Sequence, residues 1–167
     1  MENKRRIVPV MLDPPSTSEG RFEMDKKTSP VLPVLTPLYT ALEPFGYALM
    51  RLASGVIMAT FGWGKLFGNG MARDIELFRR LGLEPAELLG RFTSSLEFYG
   101  GLLIAIGLLT RPIAAMLLGE LLAILVMVII PRGSGYQLTV VWVGVFFLIL
   151  VHGGGRISVD RLLGREI

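Results

Sequence analysis

The sequence predicts an all-α membrane protein: a four-transmembrane-helix bundle with a short interfacial helix between helices 1 and 2 and an extended N-terminal arm. Hydrophobic residues make up 51% of the 167 residues, charged residues make up 19%, and the mean hydropathy is +0.56. A soluble domain of this length carries more charge and fewer apolar residues. The apolar residues form four blocks instead of a helical stripe, so lipid is the expected solvent around most of the chain.

The N-terminal arm is predicted over residues 1–44, which are polar and rich in proline. Residues 1–36 contain five prolines, six basic residues and five acidic residues, which leaves too few apolar side chains for a core. The apolar patch at residues 7–12 is too short for a signal peptide, so we expect the arm to stay on the protein. At the other end, residues 156–167 are expected to form a short tail.

Four segments within residues 45–155 have lengths that suit a membrane crossing. The first three cover residues 45–67, 92–109 and 112–130, each close to the roughly 20 residues that a helix needs to span the hydrocarbon. The fourth, at residues 138–151, is shorter and by itself also suits a buried helix of a soluble protein. Extended to residues 136–152, it is long enough to span.

The connections between these segments are short. Residues 71–90 mix apolar and charged side chains and predict a short amphipathic helix at the membrane interface. Residues 110–112 predict a hairpin with Pro112 at the first position of the next helix, and residues 131–135 form the last link. Helices joined in this way form an up-down bundle.

The distribution of basic residues predicts the orientation of the bundle. Four spans place both termini on one side, and that side carries ten lysines and arginines against six on the other. Basic residues are enriched on the cytoplasmic side of membrane proteins. We therefore expect both termini to be cytoplasmic, in a prokaryotic inner membrane.

Four charged residues in or at the ends of the spans are candidate site residues. Lys65 and Glu97 lie at similar depth, so we expect an ion pair, the alternative being that Lys65 reaches the lipid headgroups alone. An ionised carboxylate inside the bilayer costs several kcal/mol, so Glu97 meets a cation, is protonated or lines a site. We expect a second intramembrane ion pair between Arg51 and Glu120.

The residue content excludes several kinds of chemistry. Cysteine is absent and histidine occurs once, which excludes disulfides, Cys/His zinc sites, iron–sulfur clusters and bis-histidine haem. We expect no metal site, and a redox centre would have to belong to another chain. There is no glycine-rich phosphate loop, and acidic residues balance the basic arm, so nucleic acid is not an expected partner.

Four short segments together resemble the DoxX family of small four-helix membrane proteins. They are GWGKLF at residues 62–67, EFYGGLL at 97–103, GLLTR at 107–111 and GRISVD at 155–160, and the similarity covers about residues 45–163. The resemblance implies that the main candidate site residues are Lys65, Glu97 and Arg111. It implies further lining candidates: Arg51, Trp63, Tyr99 and Glu120.

The resemblance supports two hypotheses on function, because some DoxX relatives are subunits of thiosulfate:quinone oxidoreductase and others are associated with membrane redox complexes. In the first, the chain is a non-catalytic accessory subunit of a redox or energy-transducing complex, and it contacts other membrane subunits through its arm and its helix faces. In the second, the chain is a quinone-reactive subunit. Lys65 and Glu97 would then donate protons or hydrogen bonds to quinone oxygens beside Trp63 and Tyr99, with no cofactor intrinsic to the chain.

Overall fold

The computed structural model describes residues 36–133 and 135–164, which form helices and, within those ranges, no β-strand. The helices are α1 (Thr36–Leu66), α2 (Gly70–Arg80), α3 (residues 86–106), α4 (Thr110–Arg132), α5 (Tyr136–His152) and α6 (Val159–Leu162). A π-helical turn interrupts α3 at Leu96–Gly100 and α4 at Leu125–Ile129. The fold class is therefore helical, as the sequence predicts.

The long helices present apolar surface to their surroundings. Among the described residues, α1 from Pro37 to Leu66 and α4 from Thr110 to Arg132 are long and apolar enough to cross a membrane. The 17-residue α5 is apolar around its whole circumference, and only Phe146 and Ile149 of this helix are buried. The remaining sides of this helix expose large apolar side chains. Such side chains suit contact with lipid, whereas their exposure to water would be unfavourable.

Helices α1 and α3 pack antiparallel with their backbones in close contact. A Cβ atom added to Gly55 would lie 2.5 Å from the backbone nitrogen of Ala105, and one added to Gly62 would overlap the backbone of Phe98. Small residues that let backbones approach are a main means of helix association in lipid. This contact sets the register of the next turn of α1, which carries Lys65.

The apolar core lies where α1, α3, α4 and α5 meet. Phe146 and Ile149 of α5 and Ile104 of α3 are fully buried, and Leu117 of α4 is nearly so. Fully buried side chains of this size each contribute about 1.5–3 kcal/mol when they leave water, although in lipid close packing replaces that driving force. The buried core residues are Met58, Leu96, Ile104, Ile113, Ala114, Leu117, Leu118, Phe146 and Ile149.

Helix α1 begins earlier than the sequence predicts. It starts at Thr36, so residues 36–44, which were assigned to the arm, are helical and include Pro44. Membrane helices tolerate an internal proline because neighbouring groups take up the backbone hydrogen bond that it removes. Residues 1–35, the rest of the predicted arm, lie outside the described residues.

The segment between the first two long helices also differs from its prediction. The expected interfacial helix over residues 71–90 consists of α2, which ends at Arg80, and of the first residues of α3. Gly82 has a φ of 70°, a left-handed conformation that glycine adopts at low cost, and it separates the two helices. The first residue of α4 is Thr110 instead of Pro112, whereas α5 has the predicted extended bounds of residues 136–152.

Candidate functional site

The candidate site lies where the end of α1 meets α2 and the π-helical turn of α3. The ammonium group of Lys65 is 2.6 Å from Oε1 of Glu97 and 2.9 Å from Oδ2 of Asp74. The Glu97 side chain is only 9% exposed, whereas those of Lys65 and Asp74 are partly exposed. The structure thus brings Lys65 and Glu97 together as predicted, and α2 adds a second carboxylate.

Local backbone features place these three side chains. Glu97 lies in the π-helical turn, a distortion that inserts an extra residue into a helix and is frequent at functional sites. Gly70, the first residue of α2, lets that helix begin directly beside Lys65, because an added Cβ atom would lie 3.0 Å from the Cα and Cγ atoms of the lysine. The close start of α2 brings Asp74, one turn later, within reach of the ammonium group.

Asp74 is a site residue that the sequence reasoning missed. It shares one face of α2 with Leu77, Phe78 and Leu81, at the spacing that places side chains on one side of a helix, and all four line the same cavity. A carboxylate on the apolar face of an amphipathic helix requires a partner. That pattern is the signal in the sequence that pointed to Asp74.

An apolar cavity of about 260 Å³ lies beside Lys65. Residues of α2, α3 and α4 form most of its wall, and the charged residues among those that line it are Lys65, Asp74 and Glu120. Aromatic and thioether side chains are prominent in the remainder, namely Phe78, Phe92, Met116 and Met127. A mostly apolar cavity with a few placed polar groups is the usual form of a small-molecule site.

In and beside the cavity wall, unpartnered hydrogen-bond acceptors outnumber unpartnered donors. Glu120 lies within range of the charges of Glu97, Lys65 and Asp74. Oε2 of Glu97 and Oε2 of Glu120 are buried and have no hydrogen-bond partner in the described part of the chain. A lysine has three N–H donors, and Lys65 uses two of them on carboxylates. Two carboxylates therefore share one ammonium group, and the third, Glu120, lies beside them in the cavity wall.

The structure does not place Arg51 against Glu120, contrary to the prediction. Arg51 donates from Nη1 to the carbonyl oxygen of Ile104 at 2.8 Å and from Nη2 to that of Ile157 at 2.6 Å. At a rise of about 1.5 Å per residue, α4 carries Glu120 about 15 Å away from its start at Thr110, near which Arg51 lies. Glu120 instead lines the same cavity as Lys65, and Arg51 belongs to the opposite end of the helices.

That opposite end holds a second polar cluster, built around Asp160, which the sequence reasoning also missed. The Asp160 carboxylate accepts hydrogen bonds from the backbone nitrogen of Leu109 at 2.8 Å and from the backbone nitrogen and hydroxyl of Thr110 at 3.0 and 2.9 Å. Its backbone nitrogen donates to the carbonyl oxygen of Gly107 at 2.9 Å. The signal was available, because two of the segments that resemble DoxX, GLLTR and GRISVD, contact each other here.

Charge and backbone geometry both reflect this contact. Burial raises the pKa of Asp160, but the hydrogen bonds from Thr110 and Leu109, together with the charge of Arg51, outweigh it, so the pKa lies below its usual value. Gly107 has a φ of 75°, and a Cβ atom there would overlap the guanidinium group of Arg51. Only glycine fits this position. Around it, α1, the turn between α3 and α4, and the C-terminal segment are in contact with one another.

The remaining predicted site residues lie outside the cavity. Trp63 and Tyr99 are 56% and 57% exposed, and they belong to a surface cluster of aromatic rings with Phe67 and Phe98. Arg111 lies in the first turn of α4, at the Arg51 end of the helices. The structure does not bring these three predicted residues to Lys65 and Glu97.

Comparison with known proteins supports the resemblance that the sequence segments indicated. The family model of DoxX matches residues 46–129. The chain is 30% identical over 130 residues to the inner membrane protein YqjF of Escherichia coli (strain K12), an alignment that covers 75% of this chain and 97% of that protein. No solved structure matches the chain. The range matched by the family model contains all four charged residues of the site, Lys65, Asp74, Glu97 and Glu120.

Proposed function

The chain belongs to the DoxX family of membrane proteins, and from this premise we propose that it binds a quinone in the cavity beside Lys65. The observation that carries the proposal is the apolar cavity of about 260 Å³ with Lys65, Asp74 and Glu120 in its wall. Sites for small lipophilic molecules combine an apolar body with a few polar groups that fix orientation. A quinone has the matching form, a flat apolar ring with oxygen atoms at its ends.

The residues of the cavity fit such a ring. An apolar cavity of about 150 Å³ is large enough for benzene, so this one holds a single substituted ring. Phe78 and Phe92 offer aromatic surface, and the thioethers of Met116 and Met127 form favourable contacts with aromatic rings. The third N–H of Lys65 is the donor for a carbonyl oxygen. When bound, the quinone supplies two-electron redox chemistry, and these side chains hold and orient it.

The proposed topology has four spans, α1, α3, α4 and α5, with both termini in the cytoplasm. The antiparallel order of these helices supports it, and so does the excess of basic residues on the side of the termini. An inner-membrane location is supported by the similarity to an inner membrane protein of Escherichia coli. Under this topology Lys65 and α2 lie at the outer face of the membrane, and the cavity is reached from that side or from the lipid.

A second proposal, the accessory-subunit role, is compatible with quinone binding. A subunit that holds a quinone for another protein needs no redox centre of its own, and this sequence has no cysteine and one histidine. The role was predicted to depend on the arm, residues 1–44, of which residues 1–35 lie outside the described residues. Association with other membrane subunits therefore stays a prediction, and the partner is another chain of a membrane redox complex.

Binding of a simple quinone ring to the purified full chain tests the first proposal. We expect tetramethylbenzoquinone to bind the protein in lipid nanodiscs, as measured by calorimetric titration. Ala123→Phe places a large side chain in the cavity wall and should weaken binding at least about tenfold, because it removes the space that the ring requires. Ala115→Phe, on an exposed position of the same helix and outside the cavity wall, is the matched control. Binding that survives Ala123→Phe, or an absence of binding to the unmodified chain, would overturn the proposal.

A further inference from the structure

We infer that the cavity selects the hydroxylated, reduced form of its ring ligand, a quinol, and that Glu120 accepts the hydrogen bond from its hydroxyl group. The inference rests on the proposed function and specifies which form of the ligand the site favours. It follows from the number of donors and acceptors around the cavity, from the position of Glu120 in its wall, and from the apolar character of the other lining residues.

The donors on the protein side are few. Two of the three N–H groups of Lys65 are directed to Glu97 and Asp74, so one remains for a ligand. The acceptors are in excess, since Glu97 and Glu120 each have a carboxylate oxygen without a partner in the described part of the chain. A ligand that only accepts hydrogen bonds engages the one remaining N–H of Lys65 and leaves the carboxylate of Glu120 unpaired.

A hydroxyl group satisfies both sides of this arrangement. Its oxygen accepts from Lys65 while its hydrogen is donated to Glu120, which is the residue with an unpaired oxygen that also lines the cavity. A carbonyl oxygen in the same place would face the carboxylate oxygen of Glu120 with lone pairs on both atoms. Sites built to hydrogen-bond a hydroxyl group discriminate strongly against an analogue that lacks it, because the buried partner is then left unpaired.

The selection belongs to the ionised form of Glu120. A protonated carboxyl group is itself a donor and would suit a carbonyl oxygen as well as a hydroxyl group. The charged groups that face Glu120 are Lys65 from α1, Asp74 from α2 and Glu97 from α3.

Two ligands that differ only in the hydrogens on their oxygens test the inference. Tetramethylhydroquinone and tetramethylbenzoquinone have the same ring and methyl groups, and their affinities for the full chain in nanodiscs can be compared by anaerobic calorimetric titration. At about pH 9 we expect the hydroquinone to bind about 10- to 100-fold more tightly, the range given by a hydrogen bond to a charged acceptor.

Substitution of Glu120 assigns the effect to that residue. Glu120→Gln keeps the side-chain volume and offers both a donor and an acceptor, so the two ligands should bind within about twofold of each other. Glu76→Gln removes an exposed carboxylate of α2 that does not line this cavity, and it should retain the full preference.

Each outcome separates this inference from the proposed function. Equal or reversed affinities of the unmodified chain at about pH 9 would overturn the selection of the quinol while leaving ring binding intact. A preference that persists in Glu120→Gln would overturn the role of Glu120. Failure of both ligands to bind the unmodified chain would instead overturn the proposed function. If Glu120→Gln does not fold, Glu120→Asp takes its place: it withdraws the carboxylate from the ligand by one methylene, so the preference for the hydroquinone should fall, and an unchanged preference would contradict the role of Glu120.

Discussion

The contact between Lys65 and Glu97 can be tested by a double-substitution cycle that also uses its third member, Asp74. Lys65→Met removes the cation 2.6 Å from Glu97 and leaves without it a carboxylate with 9% of its side chain exposed. Loss of one partner of a buried ion pair costs about 3–5 kcal/mol of unfolding free energy. Glu97→Gln should cost less, about 1–2 kcal/mol, because Lys65 keeps Asp74 at 2.9 Å as a counter-charge.

The double variant distinguishes an interacting pair from two independent residues. Independent residues would give a destabilisation equal to the sum of the two single effects, about 4–7 kcal/mol. An interacting pair should give less than this sum by about 1–3 kcal/mol, because in the double variant the loss of Lys65 no longer leaves the Glu97 carboxylate without its cation. Asp74 remains unpaired in the double variant, so some destabilisation should persist.

Unfolding in mixed detergent micelles, followed by circular dichroism, measures these free energies. The matched control is the pair of Arg79 and Glu87, which are 2.9 Å apart but 52% and 65% exposed. Exposed ion pairs contribute about 0–1 kcal/mol, so Arg79→Met and Glu87→Gln should show little coupling. Additive effects of Lys65→Met and Glu97→Gln would refute the interaction between these two residues.

Three further predictions concern other parts of the chain. Asp160→Asn should destabilise the protein by about 1–3 kcal/mol, because the carboxylate accepts hydrogen bonds from Leu109 and Thr110. Because the folded-state pKa of Asp160 is lowered, this contribution is full above the unfolded-state pKa of about 3.9 and is lost as the pH falls through the folded-state pKa. Unfolding of both proteins between about pH 3 and 7 measures it, and a constant difference would contradict it. A topology reporter fused after Ile167 should be cytoplasmic and one inserted near Gly70 should be external, so a periplasmic signal at the C-terminus would contradict the proposed orientation. Deletion of residues 1–35 should leave the helices inserted but weaken co-purification with membrane partners, and unchanged co-purification would argue against the accessory role.

A sequence pattern gives the position of a residue along its helix but not its contacts with other helices, and this limit determined which features of the site were predictable. Hydropathy and the DoxX segments indicated the helical class and the family, and the family is confirmed by the matched family model and the Escherichia coli relative. The depth of a charged residue can be counted from the end of its span, which is why the contact between Lys65 and Glu97 was predictable. The partners of Arg51 were not predictable in this way, because they are backbone carbonyl oxygens, which every residue carries.

Rotation about the helix axis accounts for the other differences. Trp63 is two positions from Lys65, and Tyr99 is two positions from Glu97. Two positions along a helix correspond to a rotation of about 200°, so Trp63 and Tyr99 face outward while Lys65 and Glu97 face each other. The depth of Glu120, near the middle of α4, was compatible with a partner at either end. Its assignment to the Lys65 end required the packing of three helices, which no periodicity in a single segment specifies.

The two ends of the helices differ in how their buried polar groups are satisfied, and this contrast supports the proposal that a ligand binds at the Lys65 end. At the Arg51 end, the oxygens of Asp160 and both Nη atoms of Arg51 are engaged by the backbone and by Thr110, which holds separate segments in one geometry, and among the described residues only Nε of Arg51 is left buried without a partner there. At the Lys65 end, Oε2 of Glu97 and Oε2 of Glu120 have no partner in the described part of the chain, and Glu120 also lines the apolar cavity. Buried polar groups without partners cost about 1–3 kcal/mol each and are uncommon in folded proteins. Such a cost is compatible with a stable fold when a ligand offsets it, and therefore the end that stability alone does not explain is the end where we expect a ligand to bind.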